Sequence, residues 1–167
     1  MRLVAKAERQ GLHSPPILGD DVAMPKPTLQ DDYGRLHATH VAALVRHLIE
    51  CRRACGGDLD LFLVLTIIGE RSFAPRNAPA LSYEEWATVP VNSVRTEQIN
   101  LQSIADYSGI PRETVRRKLE QLVKMGWVER DTQGFYTATE TARNSLGPLT
   151  QSNVRYLATL QEAFGGL

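Results

Sequence analysis

The chain has 167 residues, of which 43% are hydrophobic, and its 19 basic and 19 acidic side chains give a formal net charge of zero. This length and composition predict one globular domain, or one small domain with helical extensions. Proteins that bind nucleic acids usually carry an excess of basic residues, so the overall charge argues against that class unless the positive charge is concentrated locally.

The cysteines and the apolar segments indicate a soluble, cytoplasmic protein that does not bind a membrane. Two cysteines do not make the regular framework of a secreted disulfide-rich domain. No segment approaches the ~20 consecutive apolar residues of a membrane-spanning helix, and the first residues lack the apolar run of a signal peptide.

Residues 1–32 are predicted to form an extended arm. They contain Pro15, Pro16, Pro25 and Pro27, and proline is excluded from helix interiors and disfavours helix at the preceding residue. The arm either wraps around a partner subunit or is a loose chain terminus, and the sequence leaves both open.

A long amphipathic helix is predicted over residues 33–55. Its apolar residues recur at spacings of three and four, which is the period of one helix face. Gly56 and Gly57 then end the helix, because glycine readily adopts the left-handed conformation of a helix C-terminus. The face comprises Leu36, Val41, Leu44, Val45, Leu48 and Ile49.

A second helix is predicted from Asp58, its N-cap, to about residue 71. Residues 61–68 are apolar except for Thr66, so this helix should be buried, with a strand as the weaker alternative. A surface loop follows, and Ser82 with Glu85 has the spacing of a capping box that starts a short third helix. We assign residues 33–90 to a helical region for dimerisation.

Residues 91–140 contain the pattern of a winged helix-turn-helix. Asn100 is placed to cap a short amphipathic helix, and Gly109 provides the tight turn after it. Pro111 stands at or just before the first turn of a longer second helix, where its missing N–H has no cost. The order of helix, turn, helix and two-stranded wing fits the DNA major groove.

The second helix of this motif, residues 112–125, has one apolar and one basic face. Five basic and two acidic residues lie between positions 112 and 124, so the positive charge missing overall is concentrated here. Arginine on such a face can bind guanine or phosphate. The predicted buried stripe is Val115, Leu119, Leu122 and Val123. The opposite face is Arg112, Glu113, Arg116, Arg117, Gln121 and Lys124.

The wing is predicted as two strands, at residues 127–130 and 135–138, around a turn at 131–134. Residues 98–99 are the candidate for a small third strand. Arg130 is the one clear cation of the wing, and Glu129 and Asp131 flank it. We therefore expect a weak contact between the wing and the minor groove.

The run IADYSGIPRETVRRKLEQLVKMGWV resembles, without gaps, the DNA-binding segment of cyclic-nucleotide-receptor/Fnr-type bacterial regulators. The resemblance implies that Arg112, Glu113 and Arg117 contact base edges and that Thr114 contacts a phosphate. The wing and the YTATETA that follows also look like MarR-type regulators. The chain has no β-barrel sensor domain, so no cyclic-nucleotide site is implied.

The same run departs from the Fnr-type pattern at two positions. Pro111 replaces the usual capping serine, and Lys118 stands where the family normally has an apolar residue.

Residues 141–167 are predicted as C-terminal helices, the first starting at the N-cap Thr139 and the last running to Phe164 after a restart at Gly147 and Pro148. With the helix at 33–55, the last helix supplies apolar stripes that exceed what a small winged helix covers, and we predict a homodimer. The stripe of the last helix is Val154, Leu157, Ala158, Leu160 and Phe164.

His40, His47, Cys51 and Cys55 are spaced seven, four and four residues apart, so they lie near one face of the first helix. Such residues could share a metal, and the cysteines could sense oxidants. The alternative, that they are part of the apolar face, is favoured, because free cysteine behaves as a small core residue and cysteines one turn apart do not form an easy disulfide. We predict no metal and no cofactor.

The sequence contains no glycine-rich phosphate loop, H-E-x-x-H motif or nucleophile elbow, so we predict that the protein is not an enzyme. We expect a mainly α fold, with one winged helix-turn-helix and flanking helices, that binds double-stranded DNA as a homodimeric bacterial-type transcription regulator. Beyond the three base-reading residues, Thr114, Arg116 and Lys124 would hold or steer towards phosphates and Arg130 would be the wing contact. The alternatives are a protein-interaction module whose basic face docks on an acidic partner, and a regulator that also responds to redox state or a ligand.

Overall fold

The computed structural model describes residues 32–73, 81–91 and 97–165. These ranges form a mainly helical fold with a small antiparallel sheet, which confirms the predicted fold class. The elements are α1 (Tyr33–Ala54), α2 (Leu59–Phe73), α3 (Tyr83–Thr88), β1 (Ile99–Asn100), α4 (Leu101–Ser108), α5 (Arg112–Lys124), β2 (Val128–Arg130), β3 (Phe135–Ala138), α6 (Glu140–Ser145) and α7 (Gly147–Gly165).

Some predictions lie outside the described residues. These are the N-terminal arm, apart from Asp32, and most of the loop predicted between α2 and α3. Among the helices that the structure describes, none is both long and apolar enough to cross a membrane.

The helix ends lie where the capping residues predict them. Asp58 Oδ1 accepts a hydrogen bond from the backbone N–H of Leu61 at 2.9 Å and so starts α2. Asn100 Oδ1 accepts from the N–H of Ser103 at 3.0 Å and starts α4. These bonds satisfy N–H groups that have no partner within the helix, which is why the local sequence fixes these boundaries.

The three strands form one sheet in the order β1-β3-β2. β3 lies at its centre, with Ile99 of β1 opposite Tyr136 and Val128 of β2 opposite Ala138. The predicted wing and its small third strand are therefore confirmed to within one residue, and Asn100 both ends β1 and caps α4.

α2, α4 and α5 pack with the sheet around one hydrophobic core, and we call these elements the winged-helix unit. α2 contributes Leu61, Val64 and Ile68, none of which is exposed to solvent. The sequence grouped this helix with the dimerisation region at 33–90, but its packing makes it part of the winged-helix core.

α1 packs along α7 to form the second structural unit, which we call the α1/α7 hairpin. His40 Nδ1 lies 3.2 Å from the hydroxyl of Tyr156, and His47 Nδ1 lies 3.3 Å from Oγ of Ser152. The residue later in α1 contacts the residue earlier in α7, so the two helices run antiparallel. The ring of His47 also stacks on Tyr156 at 5.4 Å between centroids.

The predicted apolar face of α1 is only partly covered. Leu36 is buried, but Val45 is half exposed, and most of the apolar stripe of α7 is exposed as well. The large hydrophobic side chains left exposed on the described hairpin are Tyr33, Val41, Val45, Leu48 and Ile49 of α1 and Val154, Leu157 and Phe164 of α7.

The predicted buried stripe of α5 is correct at Val115, Leu119 and Leu122 and wrong at Val123, which is 42% exposed. Each residue of an α-helix turns by about 100°, so the neighbour of a fully buried Leu122 points well away from the core. Val123 instead lines a groove between α5 and the wing.

Candidate nucleic-acid interface

α5 is anchored through its apolar stripe and presents its polar residues to solvent. Gly109 ends α4 in the left-handed conformation, with φ of 70°, and this turn sets α5 at an angle to α4. Pro111 precedes the first helical residue, Arg112, and makes no side-chain cap. The exposed residues of α5 include Arg112, Glu113, Arg116, Arg117, Glu120, Gln121 and Lys124.

The exposed surface of α5 has two adjacent faces. Arg112, Arg116 and Glu120 line the groove towards the wing. Glu113 and Arg117 follow one another at a spacing of four on the neighbouring face, which continues to Gln121 and Lys124. We call these the wing face and the outer face.

Arg116 is held by two carboxylates of its own helix. Its Nε and Nη2 donate to the two oxygens of Glu113 at 2.9 and 2.6 Å, and its Nη1 donates to Glu120. The hydrogen bond from Arg116 lowers the pKa of Glu113. Such a forked pair fixes the orientation of both side chains, so the charge of Arg116 is compensated within α5.

Lys118 is also paired, but with another helix. Its ammonium donates to Asp58, the N-cap of α2, and the two side chains are 20% and 28% exposed. Burial raises the pKa of Asp58, but the hydrogen bonds from Lys118 and the Leu61 N–H outweigh this and lower it overall. A lysine thus stands at a position expected to be apolar because its charge closes a contact between α5 and α2.

Three basic residues of α5 remain open to an external anion. Arg112, Arg117 and Lys124 have no carboxylate within ion-pair distance among the residues that the structure describes. Thr114, the predicted phosphate contact, is half-buried beside them. The positive charge of the helix is thereby concentrated on its first turn and along its outer face.

The wing holds its single arginine against its own surface. The guanidinium of Arg130 lies over the ring of Tyr136, 5.7 Å from its centroid, and Nη2 lies 3.3 Å from the point where a Cβ on Gly134 would stand. A side chain at Gly134 would crowd this arginine, and φ of 91° there also favours glycine. Asp131 Oδ1 closes the turn by accepting from the N–H groups of Gln133 and Phe135.

The groove between α5 and the wing has a volume of about 550 Å³ and brings Arg112, Arg116 and Arg130 together. Arg117 and Lys124 are not among its lining residues. Gln102 and Gln133 also line it and were not predicted, since a lone glutamine in a helix or a turn gives no signal in the sequence.

The histidines and cysteines of α1 do not form a cluster of ligands. Cys51 Sγ lies 3.5 Å from His47 Nε2, whereas Cys55 packs into the winged-helix core. Burial raises the pKa of both thiols, that of Cys55 to about 11, which keeps them protonated and poorly reactive. Among the described residues, no group of three potential ligands is arranged to hold a metal ion.

Comparison with protein families identifies the same segment. Residues 95–132 match the IclR helix-turn-helix domain, and the match spans β1, α4, α5 and β2. No curated protein and no solved structure is significantly similar to the chain. The chain thus carries a DNA-binding helix-turn-helix of a kind used by transcription regulators. The resemblance to Fnr-type and MarR-type regulators is not confirmed.

Proposed function

We propose that the IclR-type helix-turn-helix of this chain makes it a cytoplasmic transcription regulator that recognises a DNA sequence as a homodimer, with α5 in the major groove. The observation that carries the proposal is the exposed face of α5, where Arg112, Arg117 and Lys124 have no carboxylate partner among the described residues. An arginine without such a partner can fork onto guanine or a phosphate without first breaking an ion pair.

Base edges would be read by Arg112, Glu113 and Arg117. Recognition helices contact bases mainly through their N-terminal residues, which suits Arg112 and Glu113. Arg117 lies one turn beyond Glu113 on the outer face and is exposed. The bidentate pair with Arg116 holds the Glu113 carboxylate in place, where it can accept from the amino group of cytosine.

Phosphates would be held by Thr114, Arg116 and Lys124, with Arg130 contacting the DNA from the wing. These four are not equivalent. Among the residues that the structure describes, Lys124 has no ion-pair partner, whereas Arg116 must exchange a carboxylate for a phosphate and Arg130 must leave the ring of Tyr136. We therefore expect Lys124 to contribute more to binding than Arg116 or Arg130.

The homodimer would form through the exposed apolar faces of the α1/α7 hairpin. Contiguous apolar patches on a protein surface mark interaction sites, and Val41, Val45, Leu48 and Ile49 form such a patch on one helix face. A second copy of the chain is the occupant that also serves the proposed function, since two recognition helices can then read two half-sites.

Selection of bound duplexes from a random pool, followed by titration of the winning sequence at increasing salt, tests this function. We expect a palindrome with half-sites separated by about one helical turn of 10 base pairs, and a linear fall of log K with log salt. A selected sequence without symmetry would remove the dimer from the proposal. No binding even at low salt would favour the protein-interaction alternative.

Two variants separate base reading from phosphate binding. Arg117→Ala should weaken binding to the selected duplex by about 1–3 kcal/mol and to random duplex much less, whereas Lys124→Ala should weaken both alike and reduce the salt slope by about 1. Arg53→Ala, an exposed arginine of α1 that pairs with Glu50, is the matched control. Equal losses on selected and random DNA for Arg117→Ala would argue against base reading.

A further inference from the structure

We propose that a cleft between the winged-helix unit and the α1/α7 hairpin binds a small, uncharged, apolar molecule. The cleft has a volume of about 470 Å³, within the roughly 300–1,000 Å³ of small-molecule sites. Its walls are mainly hydrocarbon and aromatic. The apolar side chains include Phe62 and Leu65 of α2, Trp86 of α3, Ala142 of α6, Leu146 between α6 and α7, and Leu149 of α7.

The hydroxyl groups of the cleft donate their protons within the protein. Thr66 Oγ1 donates to the carbonyl of Phe62 at 2.9 Å, and Thr150 Oγ1 donates to the carbonyl of Leu146 at 3.3 Å. Thr139 Oγ1 donates to the carbonyl of Gly126 at 2.6 Å and caps α6. Apart from the exposed amide of Asn153, the described lining therefore offers a polar ligand few donors to replace the hydrogen bonds that it loses to water.

The charged groups of the cleft are likewise engaged or solvated. The side chain of Arg143 is 14% exposed, pairs with Glu140 at 3.4 Å, and donates to the carbonyl of Val89. Its guanidinium also lies 5.7 Å from the centre of the Trp86 ring. Glu70, the acidic residue among those that line the cleft, is exposed. An anionic ligand would therefore have to compete with Glu140 for Arg143, and a cationic ligand would meet only the solvated carboxylate of Glu70.

His47 forms the polar end of the cleft and favours the same class of ligand. It lies between Ser152 and Cys51, and burial lowers the pKa of its ring, so it is neutral at neutral pH. Binding of an uncharged molecule in the cleft thus requires no change in the protonation of His47. It would contact α2 and α6 on one side and α7 on the other, and its binding does not depend on the proposed DNA binding.

Two fluorescent probes that differ by one charge test the proposal on the full chain. N-phenyl-1-naphthylamine is neutral and apolar, and 8-anilinonaphthalene-1-sulfonate adds an anionic sulfonate to the same ring system. We expect saturable binding of one neutral probe per chain and affinity for the sulfonate lower by about tenfold or more. Equal or tighter binding of the sulfonate, or no saturable binding of the neutral probe, would overturn the proposal.

A cavity-filling variant locates the bound probe. Leu149→Trp adds a ring to the wall of the cleft and should reduce affinity for the neutral probe about tenfold or more, because the occupied volume is no longer available. Leu63→Trp makes the same substitution at an exposed position of α2 outside the cleft and should leave affinity unchanged. If thermal unfolding shows that Leu149→Trp does not fold, Thr66→Trp is measured in its place.

Undiminished binding in a folded, filled variant would place the probe elsewhere, for example on the exposed hairpin faces, and would overturn the assignment to the cleft.

Discussion

The winged-helix unit buries an apolar core within one chain and leaves some apolar side chains, such as Leu63 and Val123, exposed, whereas the α1/α7 hairpin leaves a contiguous face of large apolar side chains exposed. Ile104, Val115 and Leu122 of the winged-helix unit have no exposed surface, while Val45 and Leu157 of the hairpin are 50% and 54% exposed. The unit that carries the helix-turn-helix is thus complete as a fold, and its charged exterior is available for a ligand. The hairpin offers apolar surface that a partner would cover.

The inner side of the hairpin differs from an ordinary core as well. Its helices meet through His40, His47, Ser152 and Tyr156, which pair across the contact. Such polar pairs add little free energy compared with apolar packing, but they permit only one alignment of the two helices. The hairpin therefore has a defined shape while keeping most of its large apolar side chains outside.

Truncating one leucine to alanine in each of the two units should produce the largest difference in the free energy of unfolding. Leu122→Ala removes a fully buried side chain and should lower the free energy of unfolding by about 3 kcal/mol, within the 2–5 kcal/mol range of such cavities. Leu157→Ala removes a half-exposed one and should cost less than about 0.5 kcal/mol at concentrations too low for association. Urea unfolding measures both values, and equal losses would show that the hairpin face is covered within one chain.

A charge on the hairpin face should have the next largest effect. Val45→Glu places a carboxylate in the proposed dimer interface and should weaken association by about 2 kcal/mol, or roughly thirtyfold. Light scattering across a dilution series measures the shift from dimer to the 18.6 kDa chain. Val123→Glu, at a comparably exposed valine of α5, should leave the dimer unchanged. A wild-type chain that stays monomeric at every concentration would contradict the homodimer.

Features decided by neighbouring residues could be predicted from the sequence. Asn100 and Asp58 cap their helices through hydrogen bonds that reach three residues, and Gly109 supplies a conformation that other residues adopt at a cost. The wing was likewise predicted from its two short strands and the turn between them. These signals are local, so they do not depend on how the rest of the chain folds.

Features decided by distant residues could not be predicted in this way. Lys118 pairs with an aspartate sixty positions away in sequence. The basic face of α5 was predicted correctly as a run of charge. The sequence did not indicate that Arg116 would form ion pairs with Glu113 and Glu120, because helix spacing permits such pairs without requiring them. The cleft combines side chains from elements that are far apart in the chain, and no pattern marks it.

The ion pair between Lys118 and Asp58 gives the smallest of the expected effects and tests how firmly α5 is fixed within the winged-helix unit. Lys118→Met keeps the apolar stem and removes the ammonium, which should cost about 1 kcal/mol of unfolding free energy at neutral pH. The pKa of Asp58 is lowered in the folded protein, so this stabilisation is present above the ordinary aspartate pKa of about 3.9 and disappears as the pH falls through the lower folded value. The difference between variant and wild type should therefore shrink as the pH falls below about 3.9. Lys124→Met, which removes an exposed ammonium without an ion pair among the described residues, should change stability little in acid or at neutral pH. A loss that is the same in acid and at neutral pH would mean that Lys118 contributes through the packing of its stem and not through its charge.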